Sequence, residues 1–117
     1  MDETISFDEL NSRLGDDDLT VLDVRTQPEY EGTAGYPCDP RQGHIPGARN
    51  VTVEELMQSR TPEEVRRLVA LPEGAEVVAY CHSGARSATA AFVLRQAGYH
   101  ARNYEGSWHE WSRLASG

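Results

Sequence analysis

Glu76-Val77-Val78-Ala79-Tyr80-Cys81-His82-Ser83-Gly84-Ala85-Arg86-Ser87 is the stretch on which the reading of this chain turns. Glu76–Tyr80 is a short apolar run and reads as a buried strand. Residues 86–97 read as a helix stopped by Gly98. A thiol therefore falls where a strand ends and a helix begins. The first turn of a helix carries unpaired amides and roughly half a positive charge. A loop of small residues can curl so that successive amides point inward and form an anion-binding nest. Gly84 permits a backbone angle that other residues resist. A cysteine in such a cradle is expected to have a lowered pKa and to be thiolate at neutral pH. Arg86 adds a full positive charge nearby, and Ser87 is expected to cap the helix with its hydroxyl. The same cradle suits a persulfide anion on Cys81, which would take the outer sulfur of a sulfane donor and yield it to an acceptor nucleophile.

Outward from this loop the pattern repeats. Thr20-Val21-Leu22-Asp23-Val24 reads as a second buried strand, and Asn50-Val51 and Ala101-Arg102-Asn103-Tyr104 as shorter ones. Between them lie helix-start signals of capping-box spacing: Ser6 with Glu9, Thr26 with Glu29, Thr52 with Glu55, Thr61 with Glu64, and Ser107 with Glu110. Phe7, Leu10 and Leu14 fit one helix face, and Val65, Leu68 and Val69 another. Strand alternating with helix predicts an α/β fold with a parallel sheet covered on both faces. Ligands in such sheets bind beyond the carboxyl ends of strands, which directs attention to the residues after Val24 and after Tyr80.

The chain has 117 residues, which predicts a single domain over 1–117. Its formal net charge of −8 argues against a nucleic-acid partner, because phosphate contacts need clustered Lys and Arg. No apolar run approaches the roughly 20 residues of a membrane span, so no membrane association is expected. Met1-Asp2-Glu3-Thr4 is not a basic segment leading into an apolar one, so no signal peptide is read and a cytoplasmic location is expected. The two cysteines, Cys38 and Cys81, are then expected to stay reduced. His44, His82, His100 and His109 have no metal-ligand spacing, and neither metal nor cofactor is expected.

At this point the sequence resembles the rhodanese-like sulfurtransferase family. Leu22-Asp23-Val24-Arg25, Glu29-Tyr30 and Gly43-His44-Ile45-Pro46-Gly47-Ala48-Arg49-Asn50 are similar to its first conserved block. Tyr80-Cys81 through Ser87 is similar to its active-site loop, and Tyr104-Glu105-Gly106-Ser107-Trp108 to its C-terminal motif. The resemblance implies a three-layer fold with a five-stranded parallel sheet and helices on both faces. It also implies that Cys81 is the sulfur-accepting residue of a single-domain member. The related dual-specificity phosphatases of the cell-cycle type place five residues between cysteine and arginine. Here only four intervene, His82 to Ala85, which favours a cradle for one sulfur atom over one for a phosphoryl group.

The expected function is transfer of sulfane sulfur from a small donor, thiosulfate or a persulfide, to cyanide or a thiol. The alternatives are a persulfide carrier that hands sulfur to a relay protein, or a phosphatase or arsenate reductase of related fold. Around Cys81, the substrate-binding loop is taken as His82, Ser83, Gly84, Ala85, Arg86 and Ser87. Arg86 reads either as a contact to the donor anion or as a structural partner of Asp23 or Glu29. His82 reads either as a group that orients a donor or moves a proton, or as a solvent-exposed side chain whose backbone alone matters. Asp23 and Arg25 read as an ion-pair network that supports the site. His44 reads as a packing and hydrogen-bonding residue. Trp108 and Trp111 read as core, with Trp108 also a candidate to line the pocket by the family resemblance. Against the family it resembles, the segment 31–42 is longer than minimal members have and reads as an insertion, in which Cys38 is a candidate resolving thiol and Arg41 a candidate positive charge at the mouth.

Overall fold

The strand expected over Glu76–Tyr80 forms with those bounds, and its side chains divide the core in two. Val77 and Ala79 project to one face of the sheet and Val78 and Tyr80 to the other, and all four are fully buried. That division follows from the period-two pleat of a strand. The computed structural model describes residues 3–115. In chain order its elements are α1 (Phe7–Ser12), β1 (Leu19–Asp23), α2 (Gln27–Glu31), β2 (Arg49–Asn50), α3 (Val53–Gln58), α4 (Pro62–Val69), β3 (Glu76–Tyr80), α5 (Ala85–Gln96), β4 (His100–Asn103) and α6 (Ser107–Leu114). Among the described residues no helix is long and apolar enough to cross a membrane.

The sheet is parallel, with strand order β2-β1-β3-β4. On one face Leu22, Val77 and Ala79 pack with residues of α3, α4 and α5. On the other, Val21, Val78 and Tyr80 pack with Leu10 of α1 and with Trp108 and Trp111 of α6. Helix α5 turns Ser87, Ala90, Ala91 and Leu94 inward, the spacing of one helix face. Both tryptophans are buried, and Trp111 also meets the Phe7 ring at 5.1 Å between centroids. Removing an aromatic of that size from water contributes about 4–6 kcal/mol by its buried area.

The sheet has four strands where five are expected. The fifth place, beside β4, is held by one parallel bridge between Thr4 and Asn103. Two backbone bonds make it, Ile5 N–H to Asn103 O at 3.1 Å and Asn103 N–H to Glu3 O at 2.8 Å. The segment leaves the edge immediately because Ser6 caps α1, its hydroxyl accepting from Glu9 N–H. Of the five expected capping boxes, those of Thr26 with Glu29 and Thr52 with Glu55 form in both directions. Ser6 and Thr61 cap their helices, but Glu9 is drawn to Arg102 and Glu64 to the Arg60 amide. Ser107 does not cap α6 at all, since its hydroxyl points to Cys81 and Tyr104.

With β2 on one side of β1 and β3 on the other, the order in which strands are added reverses at the two central strands. Open α/β sheets bind ligands at the carboxyl end of such a switch point. Here that end is tied by a buried ion pair. Arg25 is 1% exposed and Asp23 0%. Arg25 Nη2 lies 2.6 Å from Asp23 Oδ2 and donates also to Gly43 O at 2.5 Å. The Tyr80 hydroxyl donates to the same Asp23 oxygen at 2.8 Å and accepts from Ile45 N–H at 3.0 Å. Burial and the adjacent Asp23 carboxylate push the Tyr80 phenol well above its ordinary pKa, so it stays a donor. The guanidinium carbon lies 5.2 Å from the Trp108 ring centroid. Asp23→Ala leaves this cation buried without its partner, which costs roughly 3–5 kcal/mol. Guanidine denaturation is expected to read that loss as a lower midpoint. A change below about 1 kcal/mol, the scale of a surface pair, would contradict it.

Candidate functional site

Cys81 follows β3 directly and is 1% exposed. Three consecutive residues at the start of α6 hold its backbone and the next carbonyl. Its N–H donates to the Ser107 hydroxyl at 3.0 Å, and its carbonyl accepts from Trp108 N–H at 2.9 Å. The next carbonyl, of His82, accepts from His109 N–H at 2.9 Å. Free amides in the first turn of α6 thus bind the loop that carries the thiol. Ser107 adopts φ 55°, an unusual value for a residue with a side chain, and this aims its hydroxyl at Cys81 N and Tyr104 O.

The loop then turns at Gly84, whose φ is 98°. A Cβ there would sit 2.8 Å from Glu105 O, so both the backbone angle and the space require glycine. The turn brings Gly84 N–H to 3.1 Å from Cys81 Sγ, at the amino end of the twelve-residue α5. Ser87 Oγ lies 3.4 Å from the sulfur and 2.6 Å from Asn103 Oδ1. Asn103 also donates to Gly84 O at 3.2 Å, so β4 buttresses the cradle from behind. Burial works against the thiolate and is the largest single influence on it. The Ser87 hydroxyl and the amides of Ser87, Gly84 and Ser83 outweigh burial and lower the Cys81 pKa. Ser87 therefore acts on the sulfur from inside the first turn, and the cap position belongs to Gly84.

Arg86 meets Glu29, one of the two structural partners expected of it. Its guanidinium forks onto Glu29, with Nη1 to Oε1 at 2.9 Å and Nη2 to Oε2 at 3.2 Å. Burial would raise the Glu29 pKa, but Arg86 and the Thr26 amide hold it at about 2. The Thr26 capping box fixes Glu29, and Glu29 in turn fixes Arg86. Ser83 is exposed at the rim and Ala85 starts α5. Trp108 is buried, with its ring on Arg25 and its indole N–H donating to Arg41 O at 3.0 Å, so it belongs to the support network. His44 Nδ1 donates to Tyr30 O at 2.8 Å, and its ring stacks on the Tyr30 ring, as expected of a packing residue.

His82 is not solvent-exposed, because the insertion 31–42 folds onto it. The Tyr36 ring stacks on the imidazole at 3.7 Å and 13°. The side chain of Asp39, fully shielded from solvent, brings Oδ2 to 2.9 Å from His82 Nε2. Asp39 Oδ1 accepts from Arg113 of α6 at 2.9 Å. Cys38 is exposed and directs its sulfur to Asp39, 3.9 Å away, and both cysteines are free thiols. Arg41 reaches the carbonyl of Ala115 at 3.0 Å, at the end of α6 and not at the mouth. Asp39, Tyr36, Ser107 and Asn103 are therefore site neighbours that sequence reading missed. Only Ser107 carried a signal, in the Tyr104–Trp108 motif; the other three arrive by tertiary closure.

The model of the family described as "Rhodanese-like domain" matches residues 6–114. A Pseudomonas aeruginosa protein named probable 3-mercaptopyruvate sulfurtransferase is 40% identical over 111 residues, covering 87% of this chain and 39% of its own. The sulfur carrier protein TtuD of Thermus thermophilus is 36% identical over 109 residues, covering 80% and 38% respectively. This chain thus spans about two-fifths of those relatives' length. The structure of the human single-domain sulfurtransferase TSTD1 superposes with a TM-score of 0.72 at 32% identity, covering 99% of this chain and 100% of that one. The family match spans both the helix-start thiol loop and the network behind it, and the chain belongs to the rhodanese-like domain family.

Proposed function

We propose that this chain is a cytoplasmic sulfurtransferase, acting as one domain over residues 1–117, that carries sulfane sulfur as a persulfide on Cys81. The observation that carries this reading is the cradle itself. Gly84 N–H and Ser87 Oγ surround Cys81 Sγ at 3.1 and 3.4 Å, at the amino end of α5. Such donors favour the thiolate before transfer and the terminal persulfide anion after it.

Two displacements complete the cycle. The Cys81 thiolate attacks the outer sulfur of thiosulfate or of a small persulfide. A Cys81–sulfur bond forms, the donor's sulfur–sulfur bond breaks, and sulfite or a thiolate leaves with the electron pair. Cyanide or a thiolate acceptor then attacks the outer sulfur. The bond to Cys81 breaks, its electrons return to the Cys81 thiolate, and thiocyanate or a new persulfide departs. Neither step needs an external oxidant or reductant. Phosphoryl transfer fits the site less well. Only four residues separate Cys81 from Arg86, and both guanidinium nitrogens that would grip a phosphoryl group are taken by Glu29.

A carrier role is the second reading, favoured by the similarity to a protein named as a sulfur carrier. It uses the same persulfide and differs in its acceptor, a protein surface in place of a small molecule.

Intact-mass spectrometry after thiosulfate treatment is expected to find the mass of one added sulfur atom. The adduct should vanish in Cys81→Ser and be removed from the parent by cyanide or dithiothreitol. No adduct from any sulfane donor would sink the persulfide reading. The pH dependence of Cys81 alkylation tests the cradle. Because the folded pKa is lowered, the rate should hold at pH values where an ordinary thiol is protonated, and fall only as pH drops through the lowered value. Ser87→Ala should move that midpoint upward, and an unmoved midpoint would remove Ser87 from the account. Arg86 is assigned a positioning role through Glu29. Glu29→Gln is therefore expected to slow persulfide formation although Glu29 meets no substrate. Arg86→Ala should then add little in the Glu29→Gln background, with a coupling of roughly 0.5–3 kcal/mol in a double-mutant cycle. Additive effects, concentrated in the KM for thiosulfate, would instead make Arg86 a direct donor contact.

A further inference from the structure

Histidines and a cysteine that share no ligand spacing in sequence meet at the rim of the Cys81 loop. Cys38 and Asp39 come from the insertion, His82 from the loop and His109 from α6. One ligand atom from each lies within 4.8 Å of all the others. Asp39 is the centre of the group. Its Oδ2 lies 2.9 Å from His82 Nε2, and its Oδ1 lies 3.7 Å from His109 Nδ1 and 3.9 Å from Cys38 Sγ.

Asp39 Oδ2 and His82 Nε2 are the closest of these pairs. Both atoms are buried, and neither has a hydrogen-bond partner. They face one another at 2.9 Å without the alignment of a hydrogen bond. A buried carboxylate oxygen and a buried imidazole nitrogen so placed are two polar atoms shielded from water without a hydrogen bond, which is costly unless something sits between them. Two ligand atoms 2.9 Å apart subtend about a right angle at a cation bound at roughly 2.0–2.1 Å from each.

We propose that Cys38, Asp39, His82 and His109 form a site for one divalent cation of the zinc class. The donor set decides the class: two imidazoles, one carboxylate and one thiolate suit zinc, whereas calcium and magnesium take oxygen ligands. Cys38 loses its proton to solvent on binding, so one thiolate and one carboxylate face the double positive charge, the carboxylate being shared with Arg113. A tetrahedral zinc site needs ligand separations of about 3.3–3.6 Å: small rotations of the half-exposed His109 and the exposed Cys38 close their distances to Asp39, and the Asp39–His82 pair must open by a few tenths of an ångström from 2.9 Å. The outer shell is in place. Arg113 holds Asp39 Oδ1 at 2.9 Å and Cys38 O at 2.8 Å, and Tyr36 fixes the His82 ring by stacking. Occupancy would pin the insertion, the residue after Cys81 and α6 to one point. The proposal stands independently of the sulfur chemistry.

Cobalt(II) is the probe, since zinc is spectroscopically silent. The full chain carrying Cys81→Ser, without an affinity tag, removes the other thiol from the signal. Titration is expected to give a thiolate-to-cobalt charge-transfer band in the near ultraviolet, with visible bands of tetrahedral strength, saturating at one equivalent and displaced by zinc. Cys38→Ser in that background should abolish the charge-transfer band. His109→Ala should weaken cobalt binding at least about tenfold, the lower end of what loss of even an outer-shell partner costs. Matching melting curves of the metal-free variants separate lost ligands from lost folding. Absence of the band with Cys38 intact overturns the proposal. So does a band that survives Cys38→Ser, or an affinity that His109→Ala leaves unchanged.

Discussion

A guanidinium sealed from water joins the two central strands where they end. Arg25 binds Asp23 at the end of β1, reaches Gly43 in the turn before β2, and lies against the Trp108 ring of α6. Tyr80, the last residue of β3, completes the knot by donating to Asp23. A cation buried this deeply has few arrangements open to it, because every displacement exposes an unpaired charge to a low-dielectric interior. The carboxyl end of the sheet is therefore rigid, and Cys81 is the first residue beyond it.

Rigidity passes from this knot to the thiol by backbone contacts. Trp108, packed on Arg25, donates its own amide to Cys81 O, and Ser107 beside it accepts from Cys81 N. Gly84 then folds the loop back over the sulfur in a conformation that Glu105 leaves no room for any other residue to copy. On the far side, Thr26 fixes Glu29 and Glu29 fixes Arg86, which closes the loop's other end. The charged residues around Cys81 mostly bind one another. What reaches the sulfur is a set of amide and hydroxyl dipoles, and these hold a thiolate or the proposed persulfide anion without neutralising it by direct contact.

Residues 31–42 add a layer over the loop that carries Cys81. Tyr36 and Asp39 remove His82 from solvent and connect the loop to the end of α6 through Arg113. This layer is polar and partly unsatisfied, in contrast to the knot beneath it. The unpaired Asp39 and His82 atoms are the clearest departure from an otherwise well-satisfied site.

Local signals determined a great deal here. The apolar runs at Thr20–Val24 and Glu76–Tyr80 and the helix after Ala85 appear within one residue of where periodicity predicts them, because short-range burial patterns set such elements. The thiol at the strand–helix junction was legible for the same reason, since strand, small-residue loop and helix are contiguous in the chain. Tertiary structure decided what contiguity does not encode. It paired Arg86 with Glu29, drew Glu9 away from its capping box to Arg102, and gave the Ser107 hydroxyl to Cys81 in place of a helix cap. It also placed Asp39 on His82 across 43 residues of chain, where no spacing rule applies. A polar side chain takes whichever partner the packed elements bring within hydrogen-bond reach, and that choice exists only once the sheet and its two helical layers have closed.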